Sequence, residues 1–248
     1  MALPKIDVPI YETKLISTGK TVRFRPFLVK EEKLFLMAAE SDEPDAMILT
    51  IKQIINNCVL DEIDIDDLPI FDIENLFLNL RARSVGEIVN LKYRCGNKIV
   101  DEEGKEKICN AVQEFDVNLL EIKPTASKSQ DNKIIINDNL GMVLKYPKFK
   151  SLENLISKES ENVLDSDLIN IVIDCIDYIY DKDNIFYAKD VQKEELVEFV
   201  DNLSRKELEQ IRNFFDNMPK IKHTIDFKCN KCGHEEIIDI EGTASFFG

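Results

Sequence analysis

Six cysteines lie along the chain, at positions 58, 95, 109, 175, 229 and 232, and the last two form its densest chemical grouping, Cys229-Asn230-Lys231-Cys232-Gly233. Two cysteines separated by two residues can present both sulfurs to one ion, and a glycine directly after them lets the backbone fold around it. Two sulfurs only half-fill a tetrahedral site. The other pair must come from far upstream, and Cys95 and Cys109 are the candidates, although thirteen residues separate them. Together Cys95, Cys109, Cys229 and Cys232 make an all-thiolate set, the donor chemistry of a closed, structural Zn2+ site. The competing readings are four reduced thiols without metal, or His234 replacing one thiolate.

The remaining candidates are weaker. Cys58 and Cys175 sit within apolar helical faces and read as small core residues. Ser17-Thr18-Gly19-Lys20-Thr21 ends like a phosphate-binding loop, but Lys14 stands where the first glycine belongs, and a strand rather than a helix follows. The acidic run Asp61, Glu62, Asp64, Asp66 and Asp67 lacks the central glycine and closing glutamate of a calcium hand, so it reads as a solvated loop. His223 is read as a solvent-face strand residue. No catalytic residue is assigned; a zinc enzyme would need an open coordination position, which four cysteines do not leave.

The elements that must position these sulfurs follow from periodicity. Residues 8–28 alternate around Ser17-Thr18-Gly19-Lys20, a β-hairpin. Helical spacing is expected over 29–39, 45–58 and 71–84, the last with Leu76, Phe77 and Leu80 on one face and Arg81 and Arg83 at its C-terminal end. Ile88, Val89, Leu91 and Tyr93 lead into Cys95; residues 96–108 read as a polar loop; Phe115, Val117 and Leu119 lead away from Cys109. Residues 124–133 are the linker candidate, and 134–146 a further hairpin. Helices are expected near 151–181 (with a break around 159–162), 191–202 and 204–217, the last opened by a Ser204/Glu207 capping box. The end repeats the earlier pattern: Tyr93-Arg94-Cys95 matches Phe227-Lys228-Cys229, and Glu114-Phe115-Asp116-Val117 resembles Glu236-Ile237-Ile238-Asp239-Ile240. The fold class is therefore α+β. Residues 1–120 form an N-terminal region ending in the first cysteine hairpin, 121–220 a mostly helical insertion, and 221–248 the second hairpin and a tail, with the two hairpins making a zinc ribbon.

A chain of 248 residues with 44% hydrophobic content can bury a sizeable core. Its net charge of −15 opposes binding to nucleic acid or to anionic lipid. No apolar run reaches the length of a membrane span and no secretory leader is evident, so a reducing, cytosolic setting and free or metal-bound thiols are expected. Phe246 and Phe247, adjacent near the chain's end, are candidate partner contacts.

Several stretches are similar to one family. Thr18-Gly19-Lys20, Phe24-Arg25-Pro26-Phe27-Leu28-Val29-Lys30-Glu31-Glu32-Lys33, Leu68-Pro69-Ile70-Phe71-Asp72-Ile73-Glu74, Leu76-Phe77-Leu78, Arg81-Ala82-Arg83-Ser84-Val85-Gly86-Glu87 and Ile240-Glu241-Gly242 before Phe246-Phe247 resemble the T-even phage baseplate hub and hub-assembly family. The resemblance implies a non-enzymatic component of a contractile phage tail. It would reside in the virion baseplate or work in the host cytoplasm during assembly. Its partners would be hub, central spike or tape-measure proteins, with homo-oligomerisation left open. A tail-assembly chaperone absent from the finished particle is the alternative role.

Overall fold

The structure, a computed structural model, describes residues 6–41, 44–100, 104–125, 132–151 and 165–241. The N-terminal hairpin pairs β1 (Tyr11–Lys14) with β2 (Thr21–Phe24), in register Tyr11 to Phe24. Its turn closes through Gly19, whose φ of 71° is accessible to glycine without strain. Helices α1 (Val29–Ala39), α2 (Pro44–Cys58) and α3 (Ile70–Ser84) follow where the periodicity places them.

The α3 helix is the spine of the molecule. It is buried on more than one face, with apolar residues on two sides and Asp72 and Asn75 buried among them. Leu76, Phe77 and Leu80 join Val22, Phe24, Ile54 and Ile55 in the N-terminal core. Leu78 and Ala82, on its other side, pack with Val117, Leu119 and Ile221 beneath the cysteine hairpins. Two buried acids fix this frame. Asp72 accepts hydrogen bonds from the Ser17 amide at 3.2 Å and from the Ile16 amide and Ser17 hydroxyl, pinning the β1–β2 turn. Glu31 is fully buried, accepts from the Leu28 amide at 2.8 Å and from Arg25 Nη2 at 3.0 Å. Burial alone would push the Glu31 carboxyl up, but Arg25 and the Leu28 amide outweigh it and hold it below the usual range.

The hairpins expected around the cysteines are present. Strands β3 (Ile88–Arg94) and β6 (Val112–Asn118) pair antiparallel, as do β12 (Lys220–Lys228) and β13 (Glu235–Glu241). Residues 96–108 are not a plain loop: β4 (Lys98–Val100) and β5 (Glu106–Ile108) pair to form a small hairpin of their own. The β-branched Ile99 and Val100 favour a strand, a preference masked in the sequence by the polar stretch that follows. At the ends of the linker candidate the described residues are paired: Pro124–Thr125 forms β7, which pairs with the start of β12, and Asn132 exchanges hydrogen bonds with Leu144; its middle, residues 126–131, lies outside the described residues.

The intervening segment, read as mostly helical, carries a four-stranded sheet in the order β11-β10-β9-β8, from β8 (Lys133–Asn137), β9 (Leu140–Leu144), β10 (Ile176–Tyr180) and β11 (Ile185–Tyr187). The helix expected through residue 181 ends at Cys175: α4 (Asp165–Cys175) passes directly into β10. Ile176, Tyr178 and Tyr180 suit a strand, and the open edge of β9 supplies its hydrogen bonds. Helices α5 (Lys193–Asp201) and α6 (Arg205–Asp216) cover one face of the sheet, burying Leu196, Val200, Ile211 and Phe214 against Ile134, Met142 and Leu144. The α6 capping box is as expected, with the Ser204 amide donating to Glu207 Oε2 at 2.8 Å. Tyr146 stacks on Phe214 and meets Phe71 edge-on, joining this layer to α3. Among the described residues no helix is long and apolar enough to cross a membrane.

Candidate metal centre

The four cysteines at the ends of the two hairpins come together. Cys95 Sγ lies 3.8 Å from Cys232 Sγ, Cys109 Sγ lies 3.7 Å from Cys229 Sγ, and all four sulfurs fall within 4.8 Å of one another. None forms a disulfide. An ion with metal–sulfur bonds of about 2.3 Å separates its tetrahedral ligands by roughly 3.8 Å, so the sulfurs are spaced to hold one metal ion.

The backbone explains how so uneven a sequence spacing yields an even site. In the second hairpin, the Gly233 amide donates to Cys229 O at 2.9 Å and the Cys229 amide donates to His234 O at 2.8 Å. In the first, the Asn110 amide donates to Cys95 O at 3.1 Å and the Cys95 amide to Ala111 O at 2.9 Å. The two sets correspond residue for residue. Gly233 (φ 72°) and Asn110 (φ 54°), each directly after the second cysteine of its pair, are both left-handed. Asparagine is one of the few residues besides glycine that visits this region readily. The first pair is thus the same turn as the second, interrupted after Asn97 by residues 98–108. The interruption is closed at its neck, where the Cys109 amide donates to Asn97 O at 2.8 Å.

Side chains bind one hairpin to the other. Gln113 donates from Nε2 to Lys228 O at 3.1 Å and accepts from the Asn230 amide at 2.8 Å. Tyr93 donates to Glu236 Oε1 at 3.0 Å, its ring edge-on to Phe227 with centroids 4.8 Å apart. Asn97 Nδ2 points at Cys232 Sγ from 3.7 Å. Tyr93, Phe227 and Glu236 belong to the repeated strand context that the sequence shows, whereas Gln113, Asn97 and Asn110 did not stand out in it.

The thiols differ in how readily they ionise. The Cys232 amide, helped by that of Lys231, points at Cys229 and lowers it to about 6 despite burial. At Cys95 the Asn97 amide favours the thiolate, but burial and hydrogen bonds from Cys229 and Cys232 outweigh it and push the thiol up to about 12. Cys109 is likewise raised: the Ala111 amide favours its thiolate, and burial with the neighbouring thiols prevails. Like charges this close cannot coexist without a cation between them, so the cluster favours a divalent ion over free thiolates.

The other sequence candidates lie elsewhere. Cys58 and Cys175 are fully buried, and burial raises them to about 11 and about 12, as expected of core thiols. His234 contributes its backbone carbonyl to the second turn; its Nε2 faces Glu236 Oε1 at 3.9 Å, and it is not part of the sulfur cluster. His223 is half-buried rather than on the solvent face. It shares its strand parity with Ile221, Ile225 and Phe227, and a two-residue period places all four on the same side. Phe246 and Phe247 lie outside the described residues.

No curated protein and no solved structure matches this chain. A family model, described as T4 bacteriophage base plate protein, matches residues 8–248, nearly its whole length. The chain therefore belongs to the T4-like phage baseplate protein family.

Proposed function

We propose that this protein is a non-enzymatic structural or assembly component of the baseplate hub in a contractile phage tail. In this reading Cys95, Cys109, Cys229 and Cys232 hold one structural Zn2+ ion. The observation that carries the metal half is the sulfur spacing of 3.7 and 3.8 Å across the two hairpins. Four sulfur ligands leave no coordination position for substrate, which favours a structural ion over a catalytic one. Zinc is preferred because all-cysteine tetrahedral sites are characteristic of its structural role. Its work would be to fasten the chain's end to its first half, leaving function to the surfaces so held.

Baseplate membership implies contact with other tail proteins. Hub, spike or tape-measure proteins are the proposed partners, and Phe246 and Phe247 the proposed contacts. Mass spectrometry of purified virions tests the role: the protein should be found in the particle, and its absence would replace this reading with that of an assembly chaperone. Metal analysis of the purified, reduced protein tests the site. One zinc per chain is expected, and a metal-free folded protein would overturn the assignment.

A further inference from the structure

The two turns of the centre form an internal control, because they share a hydrogen-bond pattern and differ in one part. The second turn, Cys229 to Cys232, is uninterrupted. The first carries β4 and β5 between Asn97 and Cys109. The corresponding cysteines differ in exposure accordingly. Cys109, beside the interruption, is 2% exposed, whereas Cys232, its counterpart in the plain turn, is only half-buried.

The inserted hairpin has the contacts to cause this difference. Its neck is closed by the pairing of Lys98 with Ile108 and by the Cys109 amide on Asn97 O. Alternation along β4 sends Lys98 and Val100 to one side and Ile99 to the other. Val100 and Ile108 are exposed, while Ile99, together with Tyr93, Ala111 and Phe115, packs against the cluster of Cys95, Cys109, Cys229 and Phe227. Ile99 thereby places an apolar side chain of the inserted hairpin against the sulfur cluster.

We propose that residues 98–108 are an insertion into an otherwise ordinary Cys-x-x-Cys turn, and that through Ile99 the insertion shields Cys109 and its neighbours from water and thiol-reactive solutes. This deepens the proposed zinc site by assigning its kinetic protection. It does not depend on zinc being the metal, since it concerns access to the thiols themselves. Ligand exchange at a thiolate site needs an approaching competitor to reach a sulfur. A covered sulfur exchanges slowly even where the equilibrium affinity is unchanged.

The test uses the full chain in two variants. One deletes residues 98–108, joining Asn97 to Cys109; the other is Ile99→Ser with the hairpin intact. In the reduced, metal-free protein, iodoacetamide labelling read by peptide mass spectrometry should show Cys109 reacting at least tenfold more slowly than Cys232 in the wild type. In both variants the two rates should converge. After zinc loading, transfer of the ion to a chromogenic chelator should be at least tenfold faster in the variants, with one zinc still bound per chain. Unchanged Cys109 labelling in a folded Ile99→Ser protein would overturn the shielding. A folded deletion variant that binds no metal would overturn the insertion reading, because the hairpin would then be part of the ligand frame. If the wild type itself binds no zinc, the zinc assignment fails while the labelling result still decides the shielding.

Discussion

The N-terminal core and the paired cysteine hairpins are held together by opposite means. Around α2 and α3 the chain buries a broad apolar cluster, including Phe24, Ile54, Ile55, Leu76, Phe77 and Leu80, reinforced by the pairing of buried Glu31 with part-buried Arg25. At the tip of the hairpins the fully buried cluster is Cys95, Cys109, Cys229 and Phe227, three thiols and one ring. Apolar area gives cohesion in proportion to its extent, so the first region is stable on its own packing. The second rests its base on the apolar cluster of Leu78, Val117, Leu119 and Ile221 but buries thiols at its tip, where the proposed ion would supply the attraction. The difference teaches that one pair of hairpins can be joined by apolar packing at one end and by ligand chemistry at the other.

The sharpest way to break this comparison is to remove the metal. Chelation, or Cys229→Ser, should cost the hairpins on the order of 10 kcal/mol of apparent binding energy. The N-terminal core should persist, so hydrogen exchange should show β3, β6, β12 and β13 losing protection before α2 and α3. Simultaneous loss everywhere would mean the two regions are not distinct. The converse change, Phe77→Ala, should destabilise the N-terminal core by about 3–5 kcal/mol while leaving zinc stoichiometry intact, measured by denaturant unfolding and metal analysis. Arg25→Ala should cost less, about 1–3 kcal/mol, because Arg25 is only part-buried and Lys30 Nζ, 3.4 Å from Glu31 Oε1, remains as a second cation. Arg25 Nη2 also donates to Asn57 O at 2.9 Å, a bond that is lost with it.

Acid provides a second contrast. Metal ligands must lose their protons, and Cys95 and Cys109 lie above the ordinary thiol range, so binding at neutral pH should expel at least two protons per ion. Metal affinity should therefore rise with pH and fall steeply as pH drops, as read by competition titrations at several pH values. Affinity independent of pH would contradict thiolate ligation. Glu31, whose carboxyl is held low, contributes stability above its unfolded pKa and loses it only as pH falls through its depressed folded value. Metal loss should thus come first in an acid titration. The smallest effect concerns the two left-handed residues. Gly233→Ala should cost about 1–2 kcal/mol, whereas Asn110→Gly should change stability by less than about 1 kcal/mol if the two turns are equivalent.

Much of this was legible in the sequence where one local signal dominated. Helices α1 to α3 and the Ser204/Glu207 cap follow from spacing and capping chemistry, and the meeting of Cys95, Cys109, Cys229 and Cys232 from matching strand contexts on either side of each cysteine pair. The β4–β5 hairpin was hidden by a local polar stretch, but two other failures share a different cause, a partner distant in sequence. Ile176–Tyr180 abandons its helix because β9 offers an open edge, and Pro124–Thr125 becomes a strand because β12 lies beside it. The thirteen-residue gap between Cys95 and Cys109 disguised a two-residue turn. Only the repeated hydrogen bonds of Asn110 and Gly233 expose the identity, and those are backbone facts that no periodicity encodes.

The pairing of sulfurs across 137 and 120 residues also sets a timetable. At about 5–20 residues per second, roughly 6–24 s pass between synthesis of Cys109 and of Cys229. During that interval Cys95 and Cys109 exist without the two cysteines they meet in the finished fold. If the four cysteines share one ion, as proposed, its binding cannot be completed before the second hairpin has been made, so closure of the centre is a late step in the folding of the chain.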